Sequence, residues 1–276
     1  MLVTGENTWK PKMLIDKYNA RADKINSLLC VGLDPDFDKL PDEFKSKEFP
    51  QFEFNKWIIQ QTAEYTAAYK PNIAFYEARG EQGIHELKMT MEFLIEKYPD
   101  IFTICDAKRA DIGNTNNGYA KFIFDYLEFD SITLHPYLGS EALKPFLDRK
   151  DRGSIILCRT SNSGAGEFQD LEVEGQTIWE IVADKVANKW NSNNNCMLVV
   201  GATYPEEMKR IREIAPNVTF LVPGVGAQGG DVGDAVKSGI DSTGHGLMIN
   251  SARGIIFSDN PAQSAKTLRD EVNSYR

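Results

Sequence analysis

The sequence predicts an α/β protein built on one (β/α)8 barrel, and three observations support this prediction. Short apolar runs occur eight times along the 276 residues, and amphipathic helical segments lie between many of them. The runs are continuous and not alternating, which is typical of parallel strands covered by helices on both faces. Eight is also the strand number of the closed barrel. An open doubly wound sheet is the alternative, but the segment GLDPDFDKLP after the first run lacks the usual Gly-rich dinucleotide turn.

The strands are predicted in chain order from these runs. They are LLCVGLDP (28–35), YKPNIAFYE (69–77), FTICDAKRAD (102–111), SITLHPY (131–137), SIILCRTS (154–161), CMLVVGAT (196–203), VTFLVPGVG (218–226) and GLMINSARG (246–254). Helices are predicted for GIHELKMTMEFLIEKY, for TIWEIVADKVANKW and for PAQSAKTLRDEVNSY, where Pro261 suits the first helical turn. The polar stretch 160–176 is predicted to be a functional loop. We therefore expect one barrel domain over residues 1–276, with an N-terminal extension to about residue 27.

Composition narrows the class of protein. The net charge of -9 disfavours non-specific binding to nucleic acid or to anionic membranes. No secretory signal is read at the N-terminus, and no apolar run approaches the ~18 residues of a membrane span. The four cysteines show no CxxC spacing, so we expect buried, reduced thiols and a cytoplasmic protein.

Polar residues gather at the ends of the predicted strands, where barrels of this kind place their active sites. The groups delivered there are Asp34, Lys70, Asp106, Lys108, Asp111, Arg159, Thr160 and Ser161, followed by the segments PGVGAQGGD and NSARG. This convergence on one rim is a stronger indication of a site than any single residue.

The segment DAKRAD places Asp106 and Lys108 two residues apart, so both side chains face the same side of a strand. A solvated ion-pair ladder is one interpretation, and a metal site is another. An ammonium between carboxylates already neutralises much of the charge that would attract a divalent cation. Nearby negative charge also keeps a buried lysine protonated, which suits proton donation or carbanion stabilisation better than Schiff-base chemistry.

The segments after the seventh and eighth strands predict a phosphate site. Glycines in PGVGAQGGD allow backbone N–H groups to approach an anion, and Arg253 in NSARG can bind phosphate with two hydrogen bonds. The loops after strands seven and eight are the usual phosphate site of such barrels. A Gly-rich turn beside a surface arginine is the simpler alternative.

Six segments together resemble the orotidine 5′-monophosphate decarboxylase family, in its longer bacterial subtype. They are DAKRADIGNT, GLDPD, YKPNIAFYE, CRTSNSGAGEFQ, VVGATYPEEM and VPGVGAQGGD. The resemblance extends from about residue 14 to the C-terminus. One departure is Ser163, where many relatives are expected to have proline, and we expect it to loosen the loop without moving Ser161.

The resemblance implies a cofactor-free, metal-free homodimer that converts orotidine 5′-monophosphate to UMP and CO2 in de novo pyrimidine biosynthesis. Lys70, Asp106, Lys108 and Asp111 would form an alternating charged array, with Asp111 supplied by the other subunit. Lys108 would stabilise the carbanion and then protonate it. Arg109 receives no role and is interpreted as a solvated charge at a strand end.

The resemblance also implies the substrate contacts. Asp34 and Thr115 would hold ribose hydroxyls, with Thr115 again from the partner subunit. Ser161 would bond the pyrimidine amide, and Gln228 and Arg253 would bind the phosphate.

Two alternatives stay open at this point. One is a metal-dependent relative that acts on hexulose 6-phosphate or ketogulonate 6-phosphate with the same DxKxxD pattern. Such a relative is expected to have an acidic magnesium ligand where this chain has Lys70. The other is a non-catalytic barrel that binds a phosphorylated metabolite.

Overall fold

The computed structural model describes residues 14–226 and 229–276, and this part of the chain contains a closed barrel of eight parallel strands. Each strand pairs with its neighbours in the sequence, and the eighth pairs with the first. The strands are β1 (Leu29–Leu33), β2 (Ala68–Pro71), β3 (Phe102–Arg109), β4 (Ser131–Leu134), β5 (Gly153–Arg159), β6 (Cys196–Val200), β7 (Phe220–Val222) and β8 (Leu247–Ser251). The predicted (β/α)8 fold and its strand number are confirmed.

Helices occupy the connections between these strands. They are α1 (Leu14–Ile25), α2 (Asp42–Lys45), α3 (Pro50–Thr62), α4 (Ala74–Glu77), α5 (Gly80–Lys97), α6 (Gly113–Ala120), α7 (Gly139–Leu147), α8 (Gly166–Gln169), α9 (Ile178–Lys185), α10 (Pro205–Ile214), α11 (Val232–Gly239), α12 (Arg253–Ile256) and α13 (Pro261–Asn273). Wider π-helical turns extend α6 over Lys121–Tyr126 and α9 over Val186–Trp190, and a 3₁₀ turn covers Phe37–Lys39. The three predicted helices are therefore confirmed.

Several strand boundaries were predicted too long. In the run 69–77, β2 ends at Pro71 and one further bridge joins Asn72 to Asp106. The Asn72 side chain then accepts a hydrogen bond from the Ala74 N–H at 3.1 Å, where the chain turns into α4. The run 246–254 likewise ends at Ser251, and α12 begins at Arg253. Apolar composition alone does not distinguish these short helical turns from strand.

The stretch 160–176, predicted as loop, contains two regular elements. One is α8, and the other is a hairpin whose strands are Glu172–Val173 and Gln176–Thr177. Its turn residues Glu174 and Gly175 both have positive φ, at 54° and 78°, the backbone of a tight two-residue hairpin. The loop prediction is wrong for these residues, while the rest of the stretch is irregular.

Burial explains why the strands show continuous apolar runs. All five residues of β1 and all five of β6 are buried, since the barrel interior covers one face and helices cover the other. The four cysteines are buried and unpaired, and burial raises the pKa of the Cys30 thiol to about 12. None of the described helices is long and apolar enough to cross a membrane.

Helix α1 packs at the N-terminal end of the barrel. The fully buried Tyr18 donates a hydrogen bond to the Leu247 carbonyl at 2.7 Å, where β8 begins. Its ring meets Phe102, at the start of β3, edge to face at 6.1 Å. The described part of the predicted N-terminal extension therefore packs on the end of the barrel opposite the predicted site.

Tyr18→Phe should lower the free energy of unfolding by about 1 kcal/mol, because it removes a buried hydroxyl donor from the Leu247 carbonyl while keeping the ring contact. Urea unfolding of the variant and the wild type measures the difference. Tyr275→Phe, at a ring that is 40% exposed, is the matched control. Equal stability of the Tyr18 variant and the wild type would mean that this hydrogen bond contributes nothing to the stability of the barrel.

Candidate active site

A cavity of about 550 Å³ opens at the carboxyl ends of the barrel strands. Six of the nine residues predicted for the site line it: Asp34, Lys70, Asp106, Lys108, Ser161 and Arg253. They come from β1, β2, β3, β5 and β8 or from the segments directly after these strands. The predicted convergence of polar groups on one rim is therefore observed for the described part of the chain.

Asp106 lies between two lysines at this cavity. Its Oδ2 accepts a hydrogen bond from Lys70 Nζ at 2.9 Å, and its Oδ1 accepts one from Lys108 Nζ at 2.7 Å. The Thr133 hydroxyl donates a third hydrogen bond to Oδ1 at 2.9 Å. Both carboxylate oxygens are thus satisfied by protein donors.

The two lysines differ in their exposure. The Lys70 side chain is 5% exposed, whereas that of Lys108 is 51% exposed. The expectation that Lys108 would be buried between carboxylates is wrong, and Lys70 is the buried member of the pair. Lys108 reaches Asp106 from the open side of the cavity, so its ammonium is accessible to a bound molecule.

The electrostatics of this cluster keep Asp106 and Lys70 charged. Burial alone would raise the pKa of Asp106, but Lys70 and Lys108 outweigh it and hold that pKa well below its usual range. Burial would likewise lower the pKa of Lys70, but Asp106 and Asp34 raise it above the usual value. The Asp106 carboxylate and the Lys70 ammonium are therefore charged at neutral pH.

Asp34 follows β1 at the edge of the cavity and is the second carboxylate facing Lys70. Burial raises its pKa, against the opposing effect of Lys70, and its Oδ1 has no hydrogen-bond partner. Gly32, two residues earlier, packs closely on the segment after β8: a Cβ there would lie 2.5 Å from the Ala252 Cβ. This close approach brings Asp34 and Arg253 to the same side of the rim.

Ser161 lies in the loop after β5, and a neighbouring network fixes that loop. Gln169 accepts a hydrogen bond from the Thr160 N–H at 2.9 Å and donates one to the Thr160 hydroxyl at 2.8 Å. Gly201, after β6, leaves room for Ser161, since a Cβ at that position would lie 2.8 Å from the Ser161 Cβ. Ser161 is thereby held at the cavity wall, with the exposed Ser163 further along the loop.

The segments predicted to bind phosphate reach the cavity in part. Gly224, at φ 95°, and Val225 line the cavity after β7, and Arg253 lines it from the first turn of α12. The positive φ makes glycine the favoured residue in this turn. Gln228 lies outside the described residues, so its predicted contact is not placed.

Asp111 and Thr115 do not line the cavity. Asp111 is partly buried beyond the end of β3, where its backbone N–H donates to the Asn116 side chain at 2.8 Å. Its carboxylate accepts a hydrogen bond from the Ile112 N–H at 2.7 Å, and Thr115 is exposed on α6. Within one chain, Asp111 and Thr115 therefore lie apart from the six predicted site residues that line the cavity.

Arg109 is not the freely solvated charge that its place in the sequence suggested. It forms an ion pair with Glu77 at the end of α4, and its guanidinium lies 5.6 Å from the centre of the Tyr119 ring. Arg109 therefore ties β3 to two of the helices around the barrel.

Sequence reasoning gave no individual role to six further polar residues of the cavity: Asn72, Thr133, Asn162, Gln169, Asn250 and Ser251. Two of them keep a spacing of two along the chain, Asn72 after Lys70 and Thr133 after Ser131. This spacing of two residues could have indicated polar side chains that face the cavity. It was not used, because the short apolar runs were interpreted as buried along their whole length.

The donor set gives no support for a metal centre. Within residues 14–226 and 229–276, no group of three or more His, Cys, Asp or Glu side chains is placed to hold a metal ion. Asp106, the acidic group at the centre of the cavity, is already engaged by two ammonium groups.

A closed parallel barrel with a charged cavity at the carboxyl ends of its strands is the architecture of (β/α)8 barrel enzymes. Comparison with known proteins is more specific. A family described as "Orotidine 5'-phosphate decarboxylase / HUMPS family" matches residues 27–268, and the chain belongs to this family.

Relatives and solved structures agree with this assignment. A curated orotidine 5′-phosphate decarboxylase of Cellvibrio japonicus is 46% identical over 260 residues, which cover 91% of this chain and 94% of that protein. The structure of the Leishmania donovani OMP decarboxylase matches with a TM-score of 0.86 and 38% identity, covering 95% and 98% of the two chains. A Methanocaldococcus jannaschii orotidine 5′-monophosphate decarboxylase complexed with the inhibitor BMP matches with a TM-score of 0.66 and 25% identity, covering 89% and 98%.

The depressed pKa of Asp106 predicts how pH affects stability. The ionised carboxylate stabilises the fold above its unfolded pKa of ~3.9, and this stabilisation is lost as pH falls towards the lower folded value. The stability of the wild type relative to Asp106→Asn should therefore fall by about 1 kcal/mol between pH 7 and pH 3. Urea unfolding across this range measures the change, and the exposed Asp38→Asn controls for loss of a carboxylate. If the stability difference between the wild type and Asp106→Asn stayed constant with pH, the two lysines would not be stabilising the ionised Asp106 carboxylate.

Proposed function

We propose that this chain decarboxylates orotidine 5′-monophosphate to UMP and CO2, the chemistry for which its relatives are named, and that it serves de novo pyrimidine biosynthesis. The observation that carries the mechanism is the position of Asp106 between Lys70 and Lys108 at the wall of the cavity. In a chain of this family, such a cluster provides fixed charges where the reacting bond would lie.

The mechanism assigns a different task to each charge. Loss of CO2 breaks the bond between the ring carbon and the carboxylate, and it leaves the electron pair on a carbon without an adjacent electron sink. Lys108 stabilises this carbanion and then transfers a proton to it, and the resulting neutral amine, on a half-exposed side chain, takes up a proton from solvent. Asp106 faces the departing carboxylate and repels it until CO2 leaves. Lys70 keeps Asp106 ionised throughout.

The barrier reduction that this reaction requires lies toward the upper part of the roughly 8–23 kcal/mol that enzymes supply. Binding energy from the remote phosphate is the proposed source for holding the substrate carboxylate against Asp106. Arg253 and Gln228 supply that binding, together with the backbone of the turn at Gly224. Arg253 and Gly224 both line the cavity, which supports this assignment.

Polar groups along the cavity wall receive the rest of the nucleotide. Asp34, which lines the cavity, accepts a hydrogen bond from a ribose hydroxyl. Ser161, in the loop after β5, forms a hydrogen bond with the pyrimidine amide. The complex of the Methanocaldococcus jannaschii relative with the inhibitor BMP is consistent with a nucleotide in this cavity.

We propose further that the enzyme is a cytoplasmic homodimer in which Asp111 and Thr115 complete the partner's site. Each subunit would be one barrel domain with its N-terminal extension. Large apolar side chains are exposed beside these two residues: Ile112 at 61% next to Asp111, and Tyr137 at 86% on the following βα connection. Helices α6 and α7, which flank this surface, are joined by a hydrogen bond from the Asn116 side chain to the Ala142 carbonyl. Contact with a second copy would cover these side chains.

The metal-dependent alternative would require an acidic ligand where Lys70 stands. The Lys70 ammonium at that position donates a hydrogen bond to Asp106 and repels a cation. The pairing of Lys70 with Asp106 therefore favours metal-free decarboxylation.

Turnover should survive chelation, because Lys70 and Lys108 supply the positive charge that a cation would otherwise provide. The measurement is the loss of orotidine 5′-monophosphate absorbance with and without EDTA, followed by addition of magnesium. Hexulose 6-phosphate and ketogulonate 6-phosphate are the comparison substrates. Activity that EDTA abolishes and magnesium restores would favour the sugar-phosphate alternative, and no turnover of any of the three would favour the non-catalytic barrel.

Mixing two inactive variants should restore activity if the sites are shared. Lys108→Ala and Asp111→Ala are dissociated, mixed and reassociated. In the heterodimer one site then carries both lesions and the other carries neither. Random pairing makes about half of the dimers heterodimers, so about a quarter of the wild-type activity should return.

The matched control mixes Lys108→Ala with Asp106→Ala. These residues serve the same chain's cavity, so every site in that heterodimer keeps one lesion and no activity should return. Failure of the first mixture, despite confirmed subunit exchange, would mean that Asp106, Lys108 and Asp111 all serve one chain's own site, or that the dimer does not form as proposed.

A further inference from the structure

Strand β3 departs from regular pairing at the charged array. Its partners in β4 are Ser131 for Ile104 and Ile132 for Cys105, but the next pair is Arg109 with Leu134. Residues 106–108 therefore face the single residue Thr133. This bulge carries both Asp106 and Lys108, so the irregular part of the strand is also the part that provides the proposed chemistry.

The bulge changes the backbone of Lys108. Its φ is 45°, in the left-handed region that a lysine rarely adopts. Its backbone N–H donates to the Thr133 hydroxyl oxygen at 2.9 Å. A side chain of β4 thus holds the backbone of β3 within the bulge.

The same hydroxyl also orients Asp106. Its oxygen accepts from Lys108, and its single proton is donated to Asp106 Oδ1 at 2.9 Å. The same oxygen, Oδ1, also accepts a hydrogen bond from the Lys108 ammonium. Thr133 is 1% exposed, so water does not readily substitute for its hydroxyl.

We propose that Thr133 is a positioning residue for decarboxylation, an inference that rests on the function proposed above. Its hydroxyl fixes the lysine backbone through one hydrogen bond and the Asp106 carboxylate through another. It thereby sets the direction from which the Lys108 ammonium approaches the reacting carbon. Without it the bulge relaxes, and Lys108 and Asp106 no longer keep their relative geometry.

The test compares Thr133→Val, which keeps the shape of the side chain, with Thr133→Ser, which keeps the hydroxyl. We expect kcat to fall about 10-fold to 100-fold in the valine variant, because the geometry of the transition state is lost. KM and the Kd for UMP should change less than about threefold, because the nucleotide contacts lie elsewhere in the cavity. The serine variant should recover most of kcat.

Thr103→Val is the matched control. Thr103 lies at the opposite end of β3 and makes the same two kinds of hydrogen bond with Asp130. Its hydroxyl accepts a hydrogen bond from the Asp130 backbone N–H and donates one to the Asp130 carboxylate. Losing this hydroxyl should lower Tm without changing kcat. The comparison separates a loss of geometry at the array from a general loss of stability.

Three results would overturn the proposal. A Thr133→Val variant with wild-type kcat would show that the hydroxyl does not position the array, as would equal losses of kcat in the serine and valine variants. A loss confined to KM and UMP affinity would show that Thr133 acts on substrate binding. If the valine variant does not fold, Thr133→Ala replaces it and is judged by the same comparison with serine. A wild-type protein that does not decarboxylate would instead refute the proposed function, before any variant is compared.

Discussion

The Asp106 carboxylate is almost completely removed from water, and the arrangement of the site depends on how its charge is compensated. Burying an unpaired carboxylate would cost several kcal/mol. Lys70 from β2, Lys108 from β3 and the Thr133 hydroxyl from β4 share that compensation. Three neighbouring strands must therefore keep their register for one charge to be stable. The barrel and the charged cluster consequently depend on each other.

The two lysines show how environment separates the roles of one residue type. Lys70 is enclosed, and its raised pKa keeps it as a permanent counter-charge. Lys108 bonds the same carboxylate but stays half exposed to the cavity, where a substrate can reach it. An enclosed ammonium exchanges protons with solvent less readily than a half-exposed one, which can give up a proton and regain it. This difference is why proton transfer is assigned to Lys108.

The barrel also separates structural from chemical polar groups. At its N-terminal end, the Tyr18 hydroxyl bonds a strand carbonyl, and Arg212 donates to several backbone carbonyls, among them that of Gly239 at 2.8 Å. At the carboxyl end, Asp34 keeps a buried oxygen without a partner. Parallel strands direct all their carboxyl ends to one rim, so the charged groups at those ends collect around one cavity.

The sequence by itself determined the (β/α)8 fold, because strands covered on both faces require continuous apolar runs, and eight such runs are present. It also predicted that Asp106 and Lys108 reach the same side of the barrel, and both line the cavity although the bulge between them breaks the regular alternation. Only the tertiary structure decided that Lys70 is the enclosed lysine and that Thr133 completes the array. Periodicity reports the burial of one element, whereas exposure and charge compensation depend on contacts between strands that are distant in the sequence.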